Sequence, residues 1–116
     1  MRMAVMSDIH GNLEALVRCL DDMEQSAVDQ IVNLGDAIGY GPQPEETLNL
    51  LEKRCMPNIL GNHELAVLDK KCRGDFSTQA LRSLEQTMKY LTSASMRYLK
   101  NLPVCREIEG ALMVHG

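Results

Sequence analysis

The first half of the chain alternates short apolar runs with amphipathic stretches. Met3-Ala4-Val5-Met6 has the length and character of a buried strand. It gives way to the polar stretch Ser7-Asp8-Ile9-His10-Gly11-Asn12. Leu13, Leu16, Val17, Leu20 and Met23 then recur at helical spacing and predict one apolar stripe from about Asn12 to Glu24. Ile31, Val32 and Leu34 predict a second strand, closed by Gly35-Asp36. The loop Gly39-Tyr40-Gly41-Pro42-Gln43-Pro44 follows. Pro44 suits the first position of a helix, whose positive end favours Glu45 and Glu46. Leu48, Leu50 and Leu51 are its apolar positions, and Met56 to Leu60 predicts a third strand, closed by Gly61-Asn62-His63-Glu64.

Strand, helix, strand, helix, strand is the order of an α/β fold with a mostly parallel sheet and crossover helices. Ligand sites in such sheets gather at the carboxyl ends of the strands. Asp8 and His10, Asp36, and Asn62 with His63 all fall at such ends, so the topology would deliver them to one crevice. The rest is mainly helical: Glu64 to Lys70, a helix capped by Ser77 and running to Tyr90, and another capped by Ser93 and ending before Pro103. Val104 to Ile108 and Ala111 to Val114 predict a hairpin turning at Glu109-Gly110.

Composition narrows the function. At 116 residues, 45% hydrophobic and 24% charged, the chain has the size of one small globular domain. A net charge of -4 leaves no nucleic-acid footprint. No apolar run reaches bilayer length, and Met1 to Met6 is too short for a secretory leader, so the expected location is the cytoplasm. Cys19, Cys55, Cys72 and Cys105 form no C-x-x-C pair and are expected to be reduced thiols packing as small hydrophobes.

Each polar cluster has a plain reading beside a chemical one. Asp8 and His10 would project to the same side of an extended strand, and a carboxylate with an imidazole suits a borderline divalent metal. The plain reading is a helix-capping Asp and a backbone-satisfied His. Asp36 has two oxygens with which to bridge two cations, yet Asp beside Gly is an ordinary turn. Asn62 offers a carbonyl oxygen and His63 a proton, against a helix cap and a loop histidine. His115 repeats the strand-end placement a fourth time, although a lone His beside an apolar run is more often structural.

The conjunction is more specific than its parts. Ser7-Asp8-Ile9-His10-Gly11-Asn12, Leu34-Gly35-Asp36, Leu60-Gly61-Asn62-His63-Glu64 and Met113-Val114-His115-Gly116 closely resemble, in order, the metal-binding motifs of calcineurin-like metallophosphoesterases. Gly35-Asp36-Ala37-Ile38-Gly39-Tyr40-Gly41-Pro42 resembles the YfcE-like bacterial and archaeal branch. It lacks the Asp-Arg-Gly continuation of the Ser/Thr protein phosphatases. The resemblance implies a two-sheet sandwich flanked by helices, of which this chain would be the N-terminal half. It implies a metal-dependent phosphodiesterase or phosphatase using two divalent ions (Mn, Zn, Fe, Co or Ni) and a bridging hydroxide. By that resemblance Asp8, His10 and Asp36 hold one metal, and Asp36, Asn62 and His115 hold the other. His63 acts on the leaving group, and the substrate is a small phosphate ester or nucleotide.

Family members carry a further Gly-His-x-His motif, whereas this sequence ends at Gly116. Residues 1–116 therefore read as a truncated metallophosphoesterase domain, incomplete at its metal site. Its uncovered sheet face and edge predict a homo-oligomer if it folds alone. The alternative function is a non-catalytic protein-interaction scaffold of the same fold. A nucleotide-binding doubly wound domain is disfavoured, because the first loop has neither G-x-G-x-x-G nor a Walker pattern.

Overall fold

The computed structural model describes all residues from Met1 to Gly116. Strand β1 (Met3–Met6) leads through helix α1 (Leu13–Gln25) to β2 (Gln30–Asn33), which pairs with β1 in parallel, Val5 opposite Val32. Helices α2 (Pro44–Lys53), α3 (Asn62–Leu68), α4 (Thr78–Tyr90) and α5 (Ser93–Lys100) follow, with a 3₁₀ turn at Lys70–Arg73. Strands β3 (Cys105–Ile108) and β4 (Ala111–Val114) close the chain as the expected antiparallel hairpin.

The predicted third strand is reduced to a single parallel bridge, Asn33 to Asn58. Asn33 N–H donates to Pro57 O at 3.0 Å and Ile59 N–H to Asn33 O at 3.2 Å. Pro57 has no N–H for the ladder, so pairing stops there, although the segment still runs beside β2.

Local chemistry sets the helix ends. Asn12 Oδ1 accepts from Ala15 N–H at 3.1 Å and Ser77 Oγ from Ala80 N–H at 3.1 Å. Pro44 opens α2 as expected. The cap of α5 is Thr92, not Ser93: Thr92 Oγ1 accepts from Ser95 N–H at 3.2 Å, and Ser93 is already helical. Glu45 of α2 accepts from Thr92 Oγ1 at 2.8 Å and so ties α2 to α5.

The core gathers Leu16 and Leu20 of α1, Leu48 and Leu51 of α2, Ala66 and Val67 of α3, Leu84 of α4 and Leu99 of α5 around Ala37 and Ile38. The stripe on α1 is narrower than its apolar spacing predicts, because Val17 is exposed. All four cysteines are exposed and free, which corrects their assignment as packed hydrophobes. Cys19 flanks the α1 stripe instead of joining it. On the hairpin, Val104, Leu112 and Val114 are also exposed.

Leu51 is fully enclosed at 0% exposure. Leu51→Ala is expected to lower unfolding free energy by about 2–5 kcal/mol, from lost apolar burial and the cavity left behind. Urea titration checks this, and a loss below about 1 kcal/mol would mean that the surroundings collapse into the gap.

Candidate metal centre

The loops after β1 and β2 zip together beyond the strands. Asp8 N–H donates to Gly35 O at 3.0 Å, His10 N–H to Asp36 O at 3.0 Å and Gly11 N–H to Ala37 O at 2.8 Å. Three of the non-glycine residues here hold left-handed backbone: Asp8 at φ 59°, His10 at φ 49° and Asp36 at φ 56°. Asp and His tolerate that region better than most side chains, and such strain concentrates at functional sites. Extended geometry is therefore not what brings Asp8 and His10 together. A left-handed loop locked to its neighbour does so.

The third loop arrives through close backbone approach. A Cβ at Gly61 would sit 2.2 Å from Asp36 Oδ1 and 2.4 Å from Asp36 N, so only glycine lets the segments meet. α3 then begins at Asn62, with Gly61 as its cap residue. Asn62 is thus no cap, and His63 lies inside the helix and is buried. The plain readings of both residues fail on that placement.

The side chains converge on Asp36, which is 3% exposed. Asp36 Oδ1 accepts the His63 backbone N–H at 3.0 Å. Asp36 Oδ2 lies 3.5 Å from His115 Nε2 and 3.8 Å from His10 Nε2, and Asp8 Oδ1 lies 3.4 Å from His10 Nε2. His10 and His115 direct Nδ1 to backbone carbonyls, Ile38 O at 2.9 Å and Leu34 O at 2.7 Å. A carbonyl only accepts, so each Nδ1 carries a proton, and each Nε2 is turned inward towards the carboxylates. Metal-binding imidazoles are commonly oriented in this way. Ligand atoms of Asp8, Asp36 and His115 lie within 4.8 Å of one another, as do those of His10, Asp36 and His63. Asp36 is common to both groups.

Asn62 tests whether a cation fits. Its Oδ1 lies 3.0 Å from His115 Nε2 and faces acceptors only. Turning the amide would let its nitrogen donate to Asp36 Oδ2 at 2.8 Å and to His115 Nε2 at 3.0 Å. Oxygen-inward suits a cation among these groups, and nitrogen-inward suits a metal-free pocket. No lysine or arginine forms an ion pair with Asp8 or Asp36. Carboxylates, imidazole nitrogens and an amide oxygen with no lysine or arginine paired to them form a donor set suited to borderline divalent metals.

Two further residues belong to the centre. Glu64 is 1% exposed, and its Oε1 accepts from Ala37 N–H at 3.1 Å while Oε2 is buried without a partner. Burial, reinforced by the Asp36 charge, pushes its carboxyl up to about 8. Tyr40 sets its ring 5.0 Å from the His10 ring and 4.8 Å from the His63 ring, centroid to centroid. Sequence reading assigned neither a role. Glu64 stands only as the start of the predicted Glu64 to Lys70 helix, and Tyr40 as part of the Gly39 to Pro44 loop. The His63 imidazole is held below its ordinary range by burial, with Asp36 pulling the other way. Another depression, about 390 Å³ beside Val28 to Ile31, flanks the amino-terminal end of β2, away from this chemistry.

Zipped strand-end loops presenting carboxylate, imidazole and amide groups around one shared aspartate give this α/β protein a candidate metal site. The chain belongs to the calcineurin-like phosphoesterase family, whose family model matches residues 1–116. It is 35% identical to the uncharacterized protein MJ0912 of Methanocaldococcus jannaschii, over 90% of this chain and 43% of that protein. It is 32% identical to a symmetrical bis(5'-nucleosyl)-tetraphosphatase of Paracidovorax citrulli, over all of this chain and 44% of that one. The crystal structure of a metallophosphoesterase from Sphaerobacter thermophilus superposes with a TM-score of 0.73 at 33% identity, covering 93% of this chain and 44% of that one. The chain thus spans less than half the length of these relatives. No helix is long and apolar enough to cross a membrane.

Proposed function

We propose that the chain carries the metal-binding half of a phosphoesterase that hydrolyses small phosphate esters, mono- or diester. The observation that carries this reading is the convergence of four donor side chains, those of Asp8, His10, Asn62 and His115, around Asp36 with no lysine or arginine paired to its carboxylate. Asp8, His10 and Asp36 would hold one divalent ion, and Asp36, Asn62 and His115 the other. Divalent ions held there would supply charge to offset the phosphate and a water acidified to a pKa of about 7.

The chain's own residues do the rest. Asp36 positions both sets, because its Oδ1 is fixed by the His63 N–H and its Oδ2 faces both imidazoles. His63 serves the leaving group. Hydrolysis forms a bond from water oxygen to phosphorus and breaks the bond to the ester oxygen, which departs as an alkoxide unless it is given a proton. Because burial disfavours its charged form, protonated His63 gives up its proton readily.

His63→Ala is expected to lower kcat/KM for alkyl phosphodiesters by about 10²–10⁴, the usual worth of general-acid help. Bis-nitrophenyl phosphate should lose far less, since nitrophenolate leaves without a proton. Both substrates, assayed with added Mn²⁺, decide the role, and equal losses would remove His63 from it. No hydrolysis of either substrate by the unmodified chain would instead favour a binding scaffold of the same fold.

A further inference from the structure

The loop between β2 and α2 presents one large side chain to solvent beside the centre, that of Tyr40. A Cβ at Gly39 would lie 2.2 Å from His63 Nδ1, and one at Gly41 would lie 1.9 Å from His10 O. No side chain larger than hydrogen fits on either flank. Tyr40 takes left-handed backbone at φ 60°, where tyrosine rarely settles. Its N–H is pinned by Ser83 Oγ of α4 at 2.6 Å. The fold thus holds this residue in an unfavourable conformation, and what it gains is not burial: Tyr40 remains 56% exposed. Strain kept at such a place is a sign of function.

Phe76 also packs against His63, its ring centroid 4.9 Å from the His63 ring. Tyr40, His63 and Phe76 line one depression of about 240 Å³, with Asp75 and Ser77 among its walls. It opens beside the residue proposed to protonate the leaving oxygen. A group departing past His63 therefore meets aromatic faces first and polar atoms around them. A planar, heteroatom-rich ring fits that surface: it stacks on the faces and offers hydrogen-bonding edges to a carboxylate and a hydroxyl. A purely alkyl leaving group would use neither feature.

Resting on the phosphoesterase reading of the same centre, we propose that Tyr40 and Phe76 form a base-stacking subsite. The substrate class is then nucleoside phosphate esters, with the nucleoside on the leaving-group side. Tyr40 acts as a specificity residue through its ring, and its hydroxyl is dispensable.

Equilibrium binding tests this without turnover. Adenosine 5′-monophosphate and ribose 5-phosphate share the phosphate and the sugar and differ in the base. With Mn²⁺ present, calorimetry on the chain is expected to show adenosine 5′-monophosphate binding about tenfold tighter, the scale of base–aromatic stacking. Tyr40→Phe should keep that preference, and Tyr40→Ala should bring the ratio close to unity. Phe76→Leu should reduce it. Equal binding of the two ligands, no binding of either, or an undiminished ratio in Tyr40→Ala would overturn the subsite. Bis-nitrophenyl phosphate hydrolysis on the same preparation separates the two ideas. A retained base preference without hydrolysis supports the subsite and removes the phosphoesterase reading. Hydrolysis without base preference does the reverse.

Discussion

Asp36→Asn is expected to lose divalent-cation affinity by well over 100-fold while leaving the metal-free chain at least as stable as the parent. Even residues that merely orient a ligand cost about 10–100-fold in metal affinity when replaced, so a ligand common to two ions should cost more. The isosteric amide keeps an oxygen for the His63 N–H, which Asp36 Oδ1 accepts at 3.0 Å. It adds an NH₂ where Asp36 Oδ2 now faces two imidazole Nε2 atoms at 3.5 and 3.8 Å. That donor would satisfy His115 or His10, and a buried charge would disappear. Titration calorimetry with Mn²⁺ and Zn²⁺, beside urea unfolding in a chelator, measures both halves. Retained metal affinity would dismiss Asp36 as the shared ligand. A stability loss above about 2 kcal/mol would show that the carboxylate is needed by the fold itself.

Glu64→Gln should show a large effect at high pH and almost none at low pH. The folded carboxyl is pushed up to about 8 from its ordinary 4.5, first by burial and then by Asp36. An acid whose folded value is raised binds its proton more tightly in the folded state. Its contribution is therefore complete below pH 4.5 and is lost as pH rises towards about 8. Across that window the parent, held metal-free, should lose roughly 3–5 kcal/mol through this one group. Glutamine keeps an oxygen for the Ala37 N–H and has nothing to ionise. Urea midpoints for the two chains should then coincide near pH 5 and separate steadily towards pH 8. Because the histidines titrate in both chains, the difference isolates Glu64. A pH-independent difference would mean that Glu64 is already ionised in the fold.

The order of elements was readable because the apolar periods were clean. Met3–Met6 and the α1 stripe needed only their spacing, and Pro44 and Ser77 marked helix starts by their own backbone chemistry. Met56 to Leu60 was equally apolar, yet one proline inside it limited pairing to a single bridge, a defect that hydropathy does not register. The family and the gathering of Asp8, His10, Asp36, Asn62, His63 and His115 were also legible, since each follows an apolar run in the same polar sense. The local reason was not. Two left-handed residues and a hydrogen-bonded pair of loops, not strand alternation, set Asp8 against His10. Glu64 and Tyr40 escaped notice because their importance arises from neighbours 27 and 43 positions away, Ala37 and Ser83. Cys19 misled because a thiol at the margin of an amphipathic stripe can fall on either side of it.

The carbonyls that lock His115 and His10 belong to Leu34 and Ile38, either side of Asp36. One short stretch of main chain therefore carries the common ligand and also steers its partners from distant segments. The centre moves as a unit with that stretch. Inserting or deleting a residue there would misaim three donors together, and no single side-chain replacement elsewhere could restore them. Lengthening the loop beyond Ile38 would leave both locks in place, so variation in what lies over the cluster can accumulate while the placing of Asp36, His10 and His115 stays constant.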